Sequence, residues 1–175
     1  MTSVRSLRTL YFVRAAFSVL WVIFVAIFAK TDATFASILF IIYPAWDAFA
    51  TWLDIRTSSP AVSKTPQYVN AAISIVTTIG VALALQKSVS DALIVFGAWA
   101  ILTGAIQLLL ALRRKKQYGG QWPMIISGAQ SMLGGSSFII LAHKPNMGIN
   151  SLAGYAAFGA FYFLLSAIRL SWRAK

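Results

Sequence analysis

The sequence contains no cysteine and only one histidine, His143, among its 175 residues. Without cysteine, the chain has no disulfides, no thiolate zinc site, no CxxC redox pair and no cysteine-ligated iron–sulfur cluster. A single histidine also removes most metal centres and catalytic triads. We therefore expect a protein that is not an enzyme and that binds no cofactor.

Acidic residues are scarce as well. Four aspartates and no glutamate face 15 lysines and arginines, which gives a formal net charge of +11. Hydrophobic residues make up 59% of the chain and charged residues 11%, against about 45–50% and about 25% in soluble proteins. This composition excludes an ordinary soluble domain and indicates a small integral membrane protein with the lipid bilayer as its partner.

Uncharged runs of about 20 residues mark helices that can cross a bilayer. Two runs reach that length if each accepts one charge, Arg14 or Asp47, and four reach it unaided. We predict an all-α membrane protein of six transmembrane helices, with a cleaved signal peptide as the alternative for the first. The predicted spans are Leu7–Ala29, Thr34–Leu53, Thr65–Gln86, Ala92–Leu112, Gln117–Ala142 and Pro145–Ile168.

The basic residues predict the orientation, because cytoplasmic loops are enriched in lysine and arginine. Three lysines, Lys30, Lys87 and Lys144, fall on one side, and the other twelve basic residues fall on the side of both termini. Both termini are therefore expected in the cytoplasm. The run Arg113–Lys116 abuts a span, so we interpret it as an orientation signal rather than a nucleic-acid or lipid site, and we expect no nucleic-acid partner.

An internal repeat divides the chain into three helical hairpins. The three outer lysines are 57 residues apart, and small residues followed by serine recur in the odd-numbered helices at 14–18, 70–74 and 127–131. In the even-numbered helices, the pairs at 45–46, 98–99 and 154–155 each end in an aromatic residue. We predict one membrane domain over 1–175, with units at about 5–60, 61–117 and 118–175 in a single bundle.

Two stretches carry a resemblance to a known family. The segment Phe96–Leu108 reads FGAWAILTGAIQL, and a basic exit at Arg113 leads to the next hairpin from Gln121-Trp122 through Ser127-Gly128. These residues resemble the short repeat of HdeD-type membrane proteins, a repeat of unknown function. The resemblance implies a bacterial inner-membrane protein associated with acid resistance and without catalytic residues. It is weak in the first hairpin, where Pro44, Asp47 and Asp54 replace the usual aliphatic and glycine pattern.

Two charges inside the predicted spans need partners, because a central arginine or aspartate costs about 2.5–3.5 kcal/mol on insertion scales. Arg14 and Asp47 lie at the same depth, about 10 Å from the cytoplasmic edge at 1.5 Å per residue. Asp47, Thr51 and Asp54 follow an i, i+4, i+7 spacing and so share one face of the second helix. We expect this face to point at Arg14.

Other polar residues lie in the cytoplasmic half of their spans, and the most prominent are Asn70, Gln107, Ser127 and Gln130. One interpretation is a water-filled vestibule that opens to the cytoplasm and holds a small polar or anionic solute. The other is structural, with an Arg14–Asp47 ion pair and interhelical hydrogen bonds. Two functions follow: a non-catalytic stress-resistance protein, or a transporter or channel for small solutes or ions that uses this polar cluster.

Small residues at four-residue spacing form stripes that allow close helix packing. One stripe contains Ser127, Ser131 and Gly135, and another contains Ala156 and Ala160. These stripes predict either the seam of a homo-oligomer or packing within one chain. A broken helix pair is typical of transporters, and only Pro44 is placed to break a span.

Overall fold

The computed structural model describes residues 2–58 and 63–173, and every regular element in these ranges is an α-helix. All six helices have the length and hydropathy needed to span a membrane, so the predicted six-helix membrane fold is confirmed. The helices are α1 (Thr2–Phe28), α2 (Ala33–Thr57), α3 (Thr65–Leu85), α4 (Val89–Tyr118), α5 (Trp122–Leu141) and α6 (Ile149–Arg173).

The helices begin with capping residues that recur along the chain. Asp32 accepts a 2.9 Å hydrogen bond from the Phe35 amide before α2, and Ser88 accepts one of 3.0 Å from the Asp91 amide before α4. Helices α3 and α5 each begin with a proline in the first turn, Pro66 or Pro123. Side-chain acceptors and early prolines both suit the unpaired amides of a helix start. The starts of α2, α3, α4 and α5 are therefore specified locally.

Two helices differ from the predicted spans. Helix α4 continues past Leu112 to Tyr118, so the Arg113–Lys116 run forms its last turns rather than a loop. Helix α2 continues through Pro44, which is buried. Pro44 is the one residue placed to break a span, and α2 is not interrupted there.

The six helices form a ring in chain order. Each helix packs mainly against two others, and α1 closes the ring by packing extensively against α6. The most extensive contacts join neighbouring hairpins, at α4 with α5, α6 with α1 and α2 with α3. Contacts within a hairpin are thinner, and those between α5 and α6 are the thinnest of the six.

One hydrogen bond is repeated in all three hairpins at the centre of the ring. In each hairpin the serine of the odd-numbered helix bonds to an aromatic side chain of the even-numbered helix. The equivalent pairs, with their distances, are Ser18–Tyr43 at 3.4 Å, Ser74–Trp99 at 2.9 Å and Ser131–Tyr155 at 2.6 Å.

These pairs change the register that we predicted for the even-numbered helices. Tyr43, rather than Trp46, is the counterpart of Trp99 and Tyr155, which makes the spacing 56 residues at both steps. Trp46 instead stacks on Phe17, with ring centroids 4.3 Å apart. The sequence pattern misled because two aromatic residues lie one helical turn apart in α2 and only tertiary contacts distinguish them.

Apolar side chains close the centre of the ring at two levels. We call the end where α1 begins and α6 ends the basic end, and the opposite end the far end. A far core of large buried side chains includes Trp21, Val25, Phe40, Phe96, Phe138 and Leu152. A basic-end core includes Leu7, Leu10, Tyr11, Ala111, Met124 and Leu170. Between the two cores lies a polar layer.

Glycines bring α4 and α5 into backbone contact. A Cβ added to Gly128 would lie 2.8 Å from the Gly104 carbonyl oxygen and 2.9 Å from the Leu108 amide nitrogen. Gly97 and Gly135 face each other in the same way. The stripe that contains Gly135 therefore packs within the chain. The other stripe, Ala156 and Ala160, is also buried inside the bundle.

We expect Gly128→Ala to destabilise the fold by about 1–3 kcal/mol, because the added methyl group meets backbone that cannot rotate away. The matched control is Gly154→Ala in α6, where an added Cβ meets nothing within 4 Å. This control should be neutral, or stabilising by up to about 1 kcal/mol through helix propensity. Thermal unfolding in detergent measures both variants, and equal midpoints would contradict the close approach.

Candidate functional site

The polar layer centres on an ion pair between α1 and α2. Arg14 Nη1 lies 2.7 Å from Asp47 Oδ1, and about 15% of each side chain is exposed. Arg14 Nη2 donates a 3.0 Å hydrogen bond to Thr51, one turn further along α2. The Arg14 guanidinium also lies 5.4 Å from the ring centroid of Phe163. The arginine is therefore held by two groups of α2 and one aromatic face of α6.

The other carboxylate oxygen of Asp47 is bound from α3. Asp47 Oδ2 accepts hydrogen bonds from Asn70 Nδ2 at 2.8 Å and from Ser74 Oγ at 2.7 Å. Asn70 also donates to Thr51 at 2.9 Å. Since a buried charge is tolerated only when it is paired and hydrogen-bonded, Asp47 is well satisfied. Arg14, Asp47, Thr51 and Asn70 thus form one network across three helices.

Asp54 has a different partner from the one predicted. It faces Arg114 rather than Arg14, and Arg114 Nη2 lies 2.8 and 2.6 Å from its two carboxylate oxygens. Arg114 Nη1 also donates to Tyr11 Oη at 3.5 Å, and Tyr11 donates to Gln121 at 3.1 Å. The expectation failed because Asp54 lies seven residues, or about 10 Å, nearer the basic end than Asp47. That depth difference is the sequence signal that a second cation is needed.

The remaining predicted residues line a cavity inside the ring. The Gln107 amide donates a 3.3 Å hydrogen bond to the Met124 carbonyl, Ser127 is buried, and Gln130 is half-buried. All three line the cavity, together with the network around Arg14 and Asp47. The structure therefore brings the eight polar residues singled out from the sequence to one cavity. They are Arg14, Asp47, Thr51, Asp54, Asn70, Gln107, Ser127 and Gln130.

The cavity has a volume of about 500 Å³. It continues along the gap between α5 and α6, where Ser137 and Ser151 line it near the far end. Most of its wall is apolar and aromatic. Small-molecule sites typically have volumes of about 300–1,000 Å³ and a mostly apolar wall with a few polar groups, so this cavity is suited to a small ligand.

The third hairpin leaves this space because its residues are smaller than their equivalents. At the position of Arg14, the second and third units have Asn70 and Ser127; at the position of Asp47, they have Thr103 and Gly159. All of these residues line the cavity. The first hairpin is therefore filled by an ion pair, whereas the third has a serine and a glycine at the same level.

The route into the cavity differs from the expected vestibule. Of the lining residues nearest the basic end, Tyr11, Asp54, Gln67 and Met124 are buried, and the Arg114 side chain is 15% exposed. Exposed lining residues occur only on α5 and α6 within the described ranges, and they are Leu133, Ser137, Gly154 and Phe158. The described part of the chain thus opens the cavity sideways rather than toward the basic end, which was the expected cytoplasmic side.

Gln67 has an unused hydrogen-bonding atom in this cavity. Its side chain lines the cavity and is 3% exposed, and its Oε1 atom has no hydrogen-bond partner. Unpaired buried polar atoms are uncommon and costly. Nothing in the sequence pattern singles out this residue, because it lies in the first turn of α3 beside Pro66 and resembles an ordinary interfacial glutamine.

Residues 69–140 match the family model described as a short repeat of unknown function (DUF308). The match covers most of α3, all of α4 and nearly all of α5. It supports the short-repeat resemblance and carries no assignment to HdeD itself. No curated protein and no solved structure matches the chain.

We expect the Arg14–Asp47 pair to show coupling in a double-mutant cycle. Arg14→Leu or Asp47→Leu alone should destabilise the fold more than the double substitution, because each leaves one buried charge unpaired. The coupling energy should be about 0.5–3 kcal/mol. Unfolding in detergent is the measurement, and the matched control is the Arg14/Asp54 cycle, for which we expect near-additive values. Additivity at Arg14/Asp47 would contradict the pairing.

Proposed function

We propose that this protein is a non-catalytic membrane protein that binds a small hydrogen-bonding molecule in the central cavity. The observation that carries the proposal is the cavity of about 500 Å³, at which the side chains of α1 to α5 present carboxylate, guanidinium, amide and hydroxyl groups. If these polar residues had only a structural role, we would expect them to satisfy their hydrogen bonds with one another. Here Gln67 lines the cavity and its buried side-chain oxygen has no hydrogen-bond partner among the described residues, which supports a bound donor.

Binding is favoured over catalysis by the residue types at the cavity. Its two carboxylates are each engaged with an arginine. Within residues 2–58 and 63–173, no three His, Cys, Asp or Glu side chains lie close enough together to hold a metal ion. His143 lies in the exposed loop after α5, away from the cavity. Acid–base or nucleophilic catalysis needs a titratable group free to act on a substrate, which supports a binding role.

Binding is also favoured over conduction along the ring axis. The far core and the basic-end core place buried apolar side chains above and below the polar layer. An ion path needs a continuous polar or hydrated lining. Transport of a small solute remains the second candidate, and flux through reconstituted vesicles that is lost in Asp47→Ala would favour it.

Single cysteines test whether the cavity is accessible, because the natural chain has none. Ser127→Cys places a thiol at the cavity, and Ser166→Cys places one at a buried site outside its lining. In vesicles, N-ethylmaleimide should alkylate Ser127→Cys at least about tenfold faster, since thiol reactivity follows access. The rates are measured by mass spectrometry of the intact protein. Equal rates would contradict an accessible cavity.

We also propose that the protein lies in a bacterial inner membrane with the basic end in the cytoplasm. Two observations support this proposal. Twelve of the 15 basic residues fall on the side of the termini, and residues 69–140 match the short-repeat family model. A cysteine introduced at Asn146 should react with an impermeant reagent added to intact spheroplasts, whereas one at Lys116 should react only after lysis. Both sites are exposed, so burial does not confound the comparison. The reverse pattern would overturn the orientation.

The proposed physiological setting is acid stress, as in HdeD-type proteins. Besides the resemblance, the far end supports it: its two carboxylates, Asp32 and Asp91, lie at the starts of α2 and α4. With so few titratable groups, acidification changes the charge of that face little. A deletion strain should survive acid challenge less well than its parent, and equal survival would remove this setting.

A further inference from the structure

The exposed part of the cavity wall lies within the membrane-spanning helices. Leu133 is 71% exposed and Phe158 is 56% exposed, and both line the cavity from opposite sides of the α5–α6 gap. They belong to the candidate spans Trp122–Leu141 and Ile149–Trp172. A side chain exposed at this depth faces lipid, so the gap is an entrance from the bilayer. We call this gap the α5–α6 seam.

The cavity is long and narrow, so its shape suits a molecule with an acyl chain better than a compact solute. On α5 its lining extends from Met124 to Ser137, which is about 20 Å at 1.5 Å per residue. A volume of about 500 Å³ over this length describes a narrow slot. A helix about 10 Å wide would fill roughly 1,600 Å³ over the same length, so the helix of a second copy does not fit inside.

The polar end of the slot is suited to an uncharged group. Arg14 is paired with Asp47, and Arg114 with Asp54, so the charged side chains at the cavity neutralise each other in pairs. Ser127 and Gln130 line the cavity and make no side-chain hydrogen bond within the described part of the chain, and Gln67 lines it with a buried carbonyl oxygen that has no partner there and accepts hydrogen bonds. A hydroxyl or amide donor satisfies it without adding a charge, and an uncharged head crosses the bilayer interior at lower cost than an ion.

We propose that the ligand is an uncharged single-chain amphiphile, such as a monoacylglycerol, that enters from the bilayer through the α5–α6 seam. Its head donates a hydrogen bond to Gln67, and its chain lies along the apolar wall between Leu133 and Phe158. This inference rests on the proposed binding function. It specifies the ligand class and the route, both of which are tested separately from the accessibility of the cavity.

The test uses Ser127→Cys protein in phosphatidylcholine vesicles with three probes. Monododecanoylglycerol has an acyl chain and an uncharged head. Dodecanoate has the same acyl chain with a charged head, and glycerol is the uncharged head alone. Monododecanoylglycerol should slow alkylation by about fivefold when about 80% of the protein is occupied, because only free protein reacts. Glycerol and dodecanoate at the same concentration should leave the rate unchanged. If glycerol alone protected the thiol, the proposed binding function would stand, but the proposal that the ligand is an amphiphile would be wrong.

Seam variants test the route. Gly154→Leu adds a side chain where a Cβ meets nothing within 4 Å, and Ser137→Leu adds one from the facing helix. Each should abolish protection by monododecanoylglycerol. The matched control, Ala157→Leu, adds the same side chain to an exposed site of α6 outside the cavity lining and should retain protection. Protection that persists in both seam variants would overturn the route.

The outcomes separate the two proposals. If Ser127→Cys and Ser166→Cys react equally, the cavity is not accessible and the binding function fails. If they differ but monododecanoylglycerol gives no protection, the accessible cavity stands and the amphiphile is wrong. Loss of protection in Gln67→Leu, with the seam intact, would support the placement of the head group.

Discussion

The partial burial of one carboxylate, that of Asp47, constrains much of this fold. In a bilayer its charge cannot be left to water, so its two oxygens must find donors on neighbouring helices. Arg14 supplies one from α1, and Asn70 and Ser74 supply two from α3. The requirement of a single side chain thereby fixes the relative depth of three helices. Ser74 also accepts a hydrogen bond from the Trp99 indole, which extends the same constraint to α4.

The repeat shows how a symmetric scaffold acquires an asymmetric interior. The serine and aromatic pair is kept in all three hairpins and defines their common geometry. One turn away, the equivalent positions diverge from Arg14 to Asn70 to Ser127. Two hairpins are filled by side chains at this level, and the third is left open. Loss of side-chain volume at two positions therefore accompanies a cavity in a bundle that otherwise closes on itself.

The sequence was sufficient for features that depend on one helix at a time. Uncharged run lengths located all six spans, because hydrophobic length is a local requirement. Equal depth on adjacent helices also paired Arg14 with Asp47. Features that need several helices at once were missed. Arg114 reaches Asp54 only because the ring brings the end of α4 beside α2, and the sideways opening of the cavity depends on how thinly α5 packs against α6.

The closure of the ring by α1 and α6 sets the order in which the structure can assemble. Helix α1 is synthesised before the other five described helices, yet its most extensive contacts are with α6, which follows them all. Its packing with α2 is thin, and the Arg14–Asp47 pair is one of the links between these two helices. The basic-end core includes Tyr11 of α1 and Leu170 of α6, so it cannot be complete until α6 has been synthesised. Until then, the main contacts open to α1 within the ring are those with α2, and they include this ion pair.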